Sequence, residues 1–395
     1  MRRFLVFSVA AFMSVALLAG CDVPTPPPEL PTATPGSQNP DSPLSRLGLT
    51  PVLPTPDRQF SALNVGPGHI FFVRAGLLYR VNPDGTGEQK LADLPVTNPP
   101  QPSRDGKMVA FTSNKDLYVV SSDGGGAPPR KVASGEIADD QRVGWSPDGL
   151  LLGYITLDTT TPGNEDAWSV RADGSSGPQK ITTLTVGAGG RGPTYQRSVQ
   201  WSPDNKWVLV GGENNPMRLL RWPLSDDPSS VRDISGGEPD WAPDSLTIVY
   251  SETLNGALAI YEVIQSDSTP YRNEAQLIGT GMSEYAQGPG PRWSPASVGA
   301  DSDPIAYRSR TPAGEPRVSL RRRGARELAT LPSLTNNPSW SPTGDRLVVE
   351  TGKIENDPLG PKWVPTGLGI AVISQTGEHA FSSLLKDAQW PAWSR

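Results

Sequence analysis

The pentapeptide Trp145-Ser146-Pro147-Asp148-Gly149 returns along the second half of the chain, and it constrains the fold more than any other feature. It recurs as Trp201-Ser202-Pro203-Asp204-Asn205, Trp241-Ala242-Pro243-Asp244-Ser245, Trp293-Ser294-Pro295 and Trp340-Ser341-Pro342-Thr343-Gly344. Pro102-Ser103-Arg104-Asp105-Gly106 is an earlier copy without its Trp, and Trp393-Ser394-Arg395 is a truncated last one. The position held by Ser (Ala242 in one copy) comes back every 40 to 56 residues. Repetition at that period belongs to arrays of small units, each of which must stack on a neighbour to bury its apolar face.

Each motif has the residue preferences of a tight turn. Ser in first position, Pro with its preset φ in second and Gly in fourth suit a type I turn followed by a left-handed residue in a hairpin. The Trp before it is a large apolar group that packs best between sheets. The residues after each turn are strand-like, as in Met108-Val109-Ala110-Phe111, Leu151-Leu152-Gly153-Tyr154-Ile155 and Leu347-Val348-Val349. A second strand, a turn often carrying Asp-Gly and a further strand come next. After Met108 they are Met108–Ser113, Leu117–Ser121, Asp123-Gly124 and Arg130–Ala133, and the corresponding last strands elsewhere include Gln179–Leu184, Val231–Ile234 and His379–Leu384.

No segment from Phe60 onward has a helical period. The expectation is an all-β, seven-bladed β-propeller of four-stranded antiparallel blades. Residues 69–94 supply three strands (His69–Arg74, Leu77–Val81, Gln89–Leu94) without a Trp strand, and residues 389–395 supply a Trp strand with nothing after it. Pairing of this C-terminal strand with the N-terminal blade would close the ring and remove two sheet edges.

The Trp-Ser-Pro-Asp-Gly turn followed by an apolar strand resembles the WD-like repeat of the TolB propeller family, over about residues 60–395. The resemblance implies a propeller; the shared motif is structural, so no binding residue is carried across. The same repeat resembles the propellers of prolyl-oligopeptidase-type peptidases. Those need an added α/β-hydrolase domain with a Gly-x-Ser-x-Gly nucleophile turn, and neither the turn nor the length for it is expected here.

The start of the chain reads differently. Arg2 and Arg3 precede an apolar run from Phe4 to Leu18, so residues 1–20 are expected to be a secretion signal. Leu18-Ala19-Gly20-Cys21 resembles the lipobox of bacterial lipoproteins, which implies cleavage before Cys21 and lipid on its thiol. In enterobacterial lipoproteins an Asp after that Cys resembles an inner-membrane retention signal, and Asp22 stands there. Residues 21–58, rich in Pro, Thr and Ser, cannot bury a core and form a lipid-anchored disordered tether with a reach of roughly 100 Å. Residues 59–395 are left for the propeller.

Candidates for chemistry are few. Cys21 is the only cysteine, which excludes disulfides and thiolate metal clusters. His69 and His379 are the only histidines, too few for a His-rich metal site or a His-relay hydrolase, and both read as solvated surface groups. Asp84, Asp105, Asp123, Asp148 and Asp173 precede Gly in turns, where a carboxylate bonds the local backbone. Arg317, Arg321, Arg322, Arg323 and Arg326 fall on the outer strands of one blade, where charge blunts edge pairing or meets an anionic polymer or headgroup. A formal charge of -6 excludes general nucleic-acid affinity.

In a propeller the connections between second and third strands, and between one blade and the next, share a face. The longest insertions, Val186–Ser198, Thr280–Pro291, Lys353–Thr366 and the shorter Asp158–Asp166, belong to that set and carry Arg191, Tyr195, Tyr285, Lys362 and Trp363 as candidate partner-binding residues. The reading is a monomeric, lipid-anchored, extracytoplasmic propeller, without catalytic residues, cofactor or metal, that binds or scaffolds a protein at the bacterial cell envelope. The alternative is a propeller enzyme or carbohydrate-binding protein using the central channel.

Overall fold

A computed structural model describes residues 67–139, 141–185, 195–213, 217–224, 231–234, 236–254, 257–264, 276–280, 290–295, 304–322, 327–358, 360–373 and 379–394. All belong to the compact unit Phe60–Arg395. The expected signal at residues 1–20, Cys21 and the proline-rich tract lie outside the described residues.

The turn motif builds its hairpin with side chains as well as backbone. The Gly149 N–H donates to the Ser146 carbonyl at 2.9 Å, and Gly149 has φ of 71°, the left-handed value a glycine takes without strain. The Ser146 hydroxyl accepts the Leu151 N–H at 2.9 Å and donates to Asp148 Oδ1 at 2.5 Å. Ser103 does the same with Met108 and Asp105, and Ser202 with Trp207 and Asp204. Where the copy reads Ala242 the hydroxyl comes from elsewhere: Thr247 Oγ1 donates to Asp244 Oδ2 at 2.8 Å, and the Thr247 N–H to Asp244 Oδ1 at 2.9 Å.

Seven sheets result among the described residues, six of four antiparallel strands and one of five with a single parallel pair. They are numbered in chain order, and in each the Trp-bearing strand or its counterpart comes first. Sheet 2 runs Gln101–Pro102, Met108–Ser113, Asp116–Ser121 and Arg130–Ser134, in space as in sequence. Sheets 3 to 7 begin at Gly144–Trp145, Arg197–Trp201, Gly237–Trp241, Arg292–Trp293 and Thr335–Trp340. Sheet 1 is Gln389–Trp393, Ile70–Arg74, Leu77–Val81 and Gln89–Lys90, so the chain's last strand completes its first sheet. Ile70 lies opposite Trp393 and Phe71 opposite Ala392. The Ser394 N–H adds a bond to the His69 carbonyl at 3.0 Å.

Strands within the ring are apolar on both faces because each sheet is sandwiched. Ile70 and Phe72 pack with Val348, Leu368 and Ile370 of sheet 7, whereas Phe71 and Val73 pack with Val109 and Phe111 of sheet 2. That is the period-two alternation of a strand, with both sides buried. The motif tryptophans add bonds between sheets: Trp145 Nε1–H donates to the Gln101 carbonyl at 2.8 Å, Trp340 to Arg292 at 3.0 Å and Trp241 to Gln200 at 3.4 Å.

Three expectations are corrected. Four-stranded blades throughout were expected, but the sheet beginning at Arg197 has a fifth strand, Gln141–Arg142, paired in parallel. The chain there leaves sheet 3, and the Gln141 side chain takes the place of a peptide in the abandoned ladder. Its Oε1 accepts the Ile155 N–H at 2.6 Å and its Nε2 donates to the Ile155 carbonyl at 3.0 Å. Gly144 permits the approach, since a Cβ there would stand 1.8 Å from the Val199 carbonyl oxygen. Secondly, the expected strand Gln89–Leu94 ends at Lys90, after which Leu91 and Ala92 turn into the core.

Thirdly, Lys353–Thr366 is no loop. Arg346–Asp357 and Gly360–Ile373 are continuous strands paired up to Asp357 and Gly360. Their outer flankers stop short: Thr335–Trp340 pairs no further than Thr351, and His379–Lys386 no further than Gly367. Residues 352–365 therefore form a two-stranded arm beyond the four-stranded part of sheet 7.

Candidate functional site

The first strands of all the sheets surround a central channel of about 820 Å³, lined by Gln101, Gly144, Gln200, Asp240, Trp293 and Ala392 among others. Lys362, Trp363, Val364 and Pro365 of the arm also line it. The volume lies within the range of small-ligand cavities.

Arg142, Asp240 and Gln200 in the wall, and Arg197, Glu165, Glu213 and Glu238 outside its lining, join sheets. Asp240 Oδ1 is 2.9 Å from Arg142 Nη1, and its Oδ2 accepts the Trp293 N–H at 2.9 Å, so one carboxylate joins sheets 4, 5 and 6. Gln200 Nε2 donates to the Pro239 carbonyl at 2.6 Å. Arg197 bonds Glu165 at 2.5 Å and also pairs with Glu213. Glu238 sits at a bulge with φ of 55° and accepts the Gln196 N–H at 3.2 Å. Burial pushes its carboxyl up to about 7, against the opposing pull of Arg308 and Arg292.

A second buried acid organises the arm side of the mouth. Glu350 is 1% exposed, and its Oε1 accepts the Trp390 backbone N–H at 2.6 Å. Its Oε2 accepts the Trp363 indole N–H at 3.2 Å, and the Asn337 side chain is a further hydrogen-bond partner. Burial raises its pKa while these bonds pull the other way. Asn336 lies directly opposite Glu350 in the ladder. The Oδ1 atoms of Asn336 and Asn337 are buried and have no hydrogen-bond partner.

The residues singled out from sequence fare unequally. Lys362 is exposed and Trp363 half-buried, both at the channel mouth. Tyr195 also lines the channel, but at 6% exposure it is no free rim group. Its ring fills the space beside Gly237, where a Cβ would come within 2.2 Å of it. Arg191, Tyr285 and Cys21 lie outside the described residues.

His379 is exposed, whereas His69, expected at the surface, is half-buried at the ring closure. Burial, then the nearby Arg80, lowers its pKa. The turn aspartates bond local backbone: Thr86 N–H to Asp84, Gly125 to Asp123 and Ser175 to Asp173, each at 2.9 Å. In the arginine run, Arg317, Arg321 and Arg322 lie on the third strand of sheet 6, while Arg323 and Arg326 lie outside the described residues.

Sequence reasoning missed Glu238, Glu350, Asn336, Asn337 and Trp390. For Glu350 a signal existed, a lone acid ending the apolar run Leu347-Val348-Val349. Among the described residues no group of three or more His, Cys, Asp or Glu is placed to hold a metal ion.

Antiparallel sheets arranged around a channel walled by their first strands define a β-propeller. No protein-family model matches the chain, and no curated protein matches it. Among solved structures it is similar to a functionally unknown protein from Desulfotomaculum acetoxidans, at 14% identity over 83% of this chain and 99% of that one, with a TM-score of 0.51. A putative 6-phosphogluconolactonase from Bacteroides fragilis is similar at 13% identity over 85% and 99%, also with a TM-score of 0.51. TolB from Acinetobacter baumannii aligns at 16% identity over 80% of this chain and 78% of its own, with a TM-score of 0.44. The first two likenesses are of fold.

Proposed function

We propose that the chain is a non-catalytic binding or scaffolding propeller of seven blades, held at the bacterial cell envelope by lipid on Cys21 and docking an envelope protein on its arm face. The observation that carries the reading is the arm of residues 352–365. Its paired backbone projects past the rest of its sheet, with Ile354 41% exposed. An extended hairpin with both edges unpaired in its own sheet, presenting an apolar group between Lys353 and Glu355, has the makings of a contact surface. The acids most frequent in the repeats are committed to turns, which leaves the repeat itself without free catalytic groups. A propeller enzyme working in the channel is the second reading, favoured by the cavity.

The test is to replace residues 355–362 of the full chain by Asn-Gly, which leaves position 354 opposite Trp363, to combine this with Ile354→Ser, and to cross-link the product in intact cells. Loss of the wild-type cross-linked protein with an unchanged melting temperature is expected. The same protein captured in the same yield would overturn the docking surface.

A further inference from the structure

We infer that the arm side of the channel mouth, formed by Asn336, Asn337, Glu350, Trp363 and Trp390, is a binding site for a neutral oligosaccharide. All five residues line the channel. Trp363 and Trp390 are each half-buried in the channel lining, Trp390 also packing against the core between sheets 1 and 2, and an indole at a channel wall is the kind of flat apolar group that covers the C–H face of a sugar ring.

Their placement is built. The Glu350 carboxyl holds the backbone of Trp390 and the indole N–H of Trp363 at once, 2.6 and 3.2 Å away. Gly352 leaves room for the second indole, since a Cβ there would come within 2.5 Å of the Trp363 ring. Beside these plates, Asn336, only 5% exposed, and Asn337 present amide oxygens without a donor. A buried acceptor left unpaired is costly, and a site that binds a donor-bearing ligand recovers that cost.

The polarity of the free groups selects the ligand. They are acceptors, so they call for hydroxyl or amide donors. The Trp363 indole N–H is already given to Glu350 and is not available to a peptide carbonyl. A proline-rich peptide, the other ligand that aromatic grooves take, brings carbonyls and few N–H groups and would leave both amide oxygens unpaired. Among the five residues the one ionisable group, Glu350, is already bonded to both tryptophans, so they offer a charged ligand no partner. A polyhydroxylated, uncharged chain fits both the plates and the acceptors. This site lies inside the mouth, apart from the arm tip.

The full chain, purified in detergent, would be applied to an array of neutral and N-acetylated oligosaccharides. Any bound sugar would then be titrated by intrinsic tryptophan fluorescence. Saturable binding is expected, weakened about tenfold or more by Asn336→Leu and by Trp363→Ala. The shortened-arm variant, in which position 354 still faces Trp363 in the ladder, should bind as wild type, so this site and the docking surface fail separately. Near-UV circular dichroism would check that each variant is folded, with Asn336→Val and Trp363→Leu replacing any that is not. Three outcomes overturn the site: no sugar retained above the level of a variant combining Asn336→Leu with Trp363→Ala, equal affinity in all variants, or a fluorescence response to a peptide of residues 22–35 without one to any sugar.

Discussion

At the scale of single residues, hydroxyls and carboxyls of the repeats are consumed in making turns, whereas two glutamates are buried, Glu350 in the channel lining and Glu238 outside it. The two sets pull on pH stability in opposite senses. Hydrogen bonds from Thr86 and Ser103 hold Asp84 and Asp105 below the usual carboxylate range, so their contribution is present at neutral pH and fades as pH falls through their folded pKa values. Glu238 behaves the other way. Burial holds its proton up to about 7 in the folded chain, while the unfolded carboxyl releases it near 4.5. Between those values the folded state binds more protons, so stability falls as pH rises through that window. The melting temperature is expected to drop between about pH 5 and pH 8. Glu238→Gln should flatten most of that slope, with the remainder belonging to Glu350, whose pKa burial also raises. A slope unchanged in the Gln variant would remove Glu238 as its source.

Among elements, the strand Gln389–Trp393 matters most, because removing it would bare the edge of Ile70–Arg74 and the apolar faces of Phe71 and Phe72. A chain ending at residue 388 is expected to lose its cooperative thermal transition and to aggregate, both readable by circular dichroism and light scattering. Retention of a sharp wild-type melt would show that the closure is dispensable. That pairing was legible because incomplete motifs stand at both ends of the repeat. The strands Met108–Ser113, Leu77–Val81 and Gln179–Leu184 were legible for another reason, turn residues followed by a run with apolar members. The arm was not, since Gly352, Pro361, Pro365 and Gly367 interrupt its pattern and its pairing comes from the partner strand. Nor was the crossing of Gln141 into sheet 4, which depends on a side chain imitating backbone. The buried acids escaped because nothing local distinguishes them from surface carboxylates; only Glu350 betrayed itself, by ending an apolar run. Of the five candidate rim residues, the channel mouth receives Lys362 and Trp363, while Tyr195 proved to be packing.

For the molecule as a whole, anchoring is tested at one atom. Wild type expressed in bacteria is expected to partition into the detergent phase of a Triton X-114 separation and Cys21→Ser into the aqueous phase. Equal partitioning of the two would overturn the lipid anchor.

The clasp between His69 and Ser394 joins residues 325 positions apart. Its earliest strand must therefore wait for the final one, and no shorter portion of the ring can seal itself while synthesis continues. Until then Ile70 and Phe72, which pack against sheet 7, keep their flank without a partner, so maturation is paced by arrival of the tail. Contacts of such separation fold slowly, and the interval before sealing is when this chain is most exposed to mispairing with a second copy.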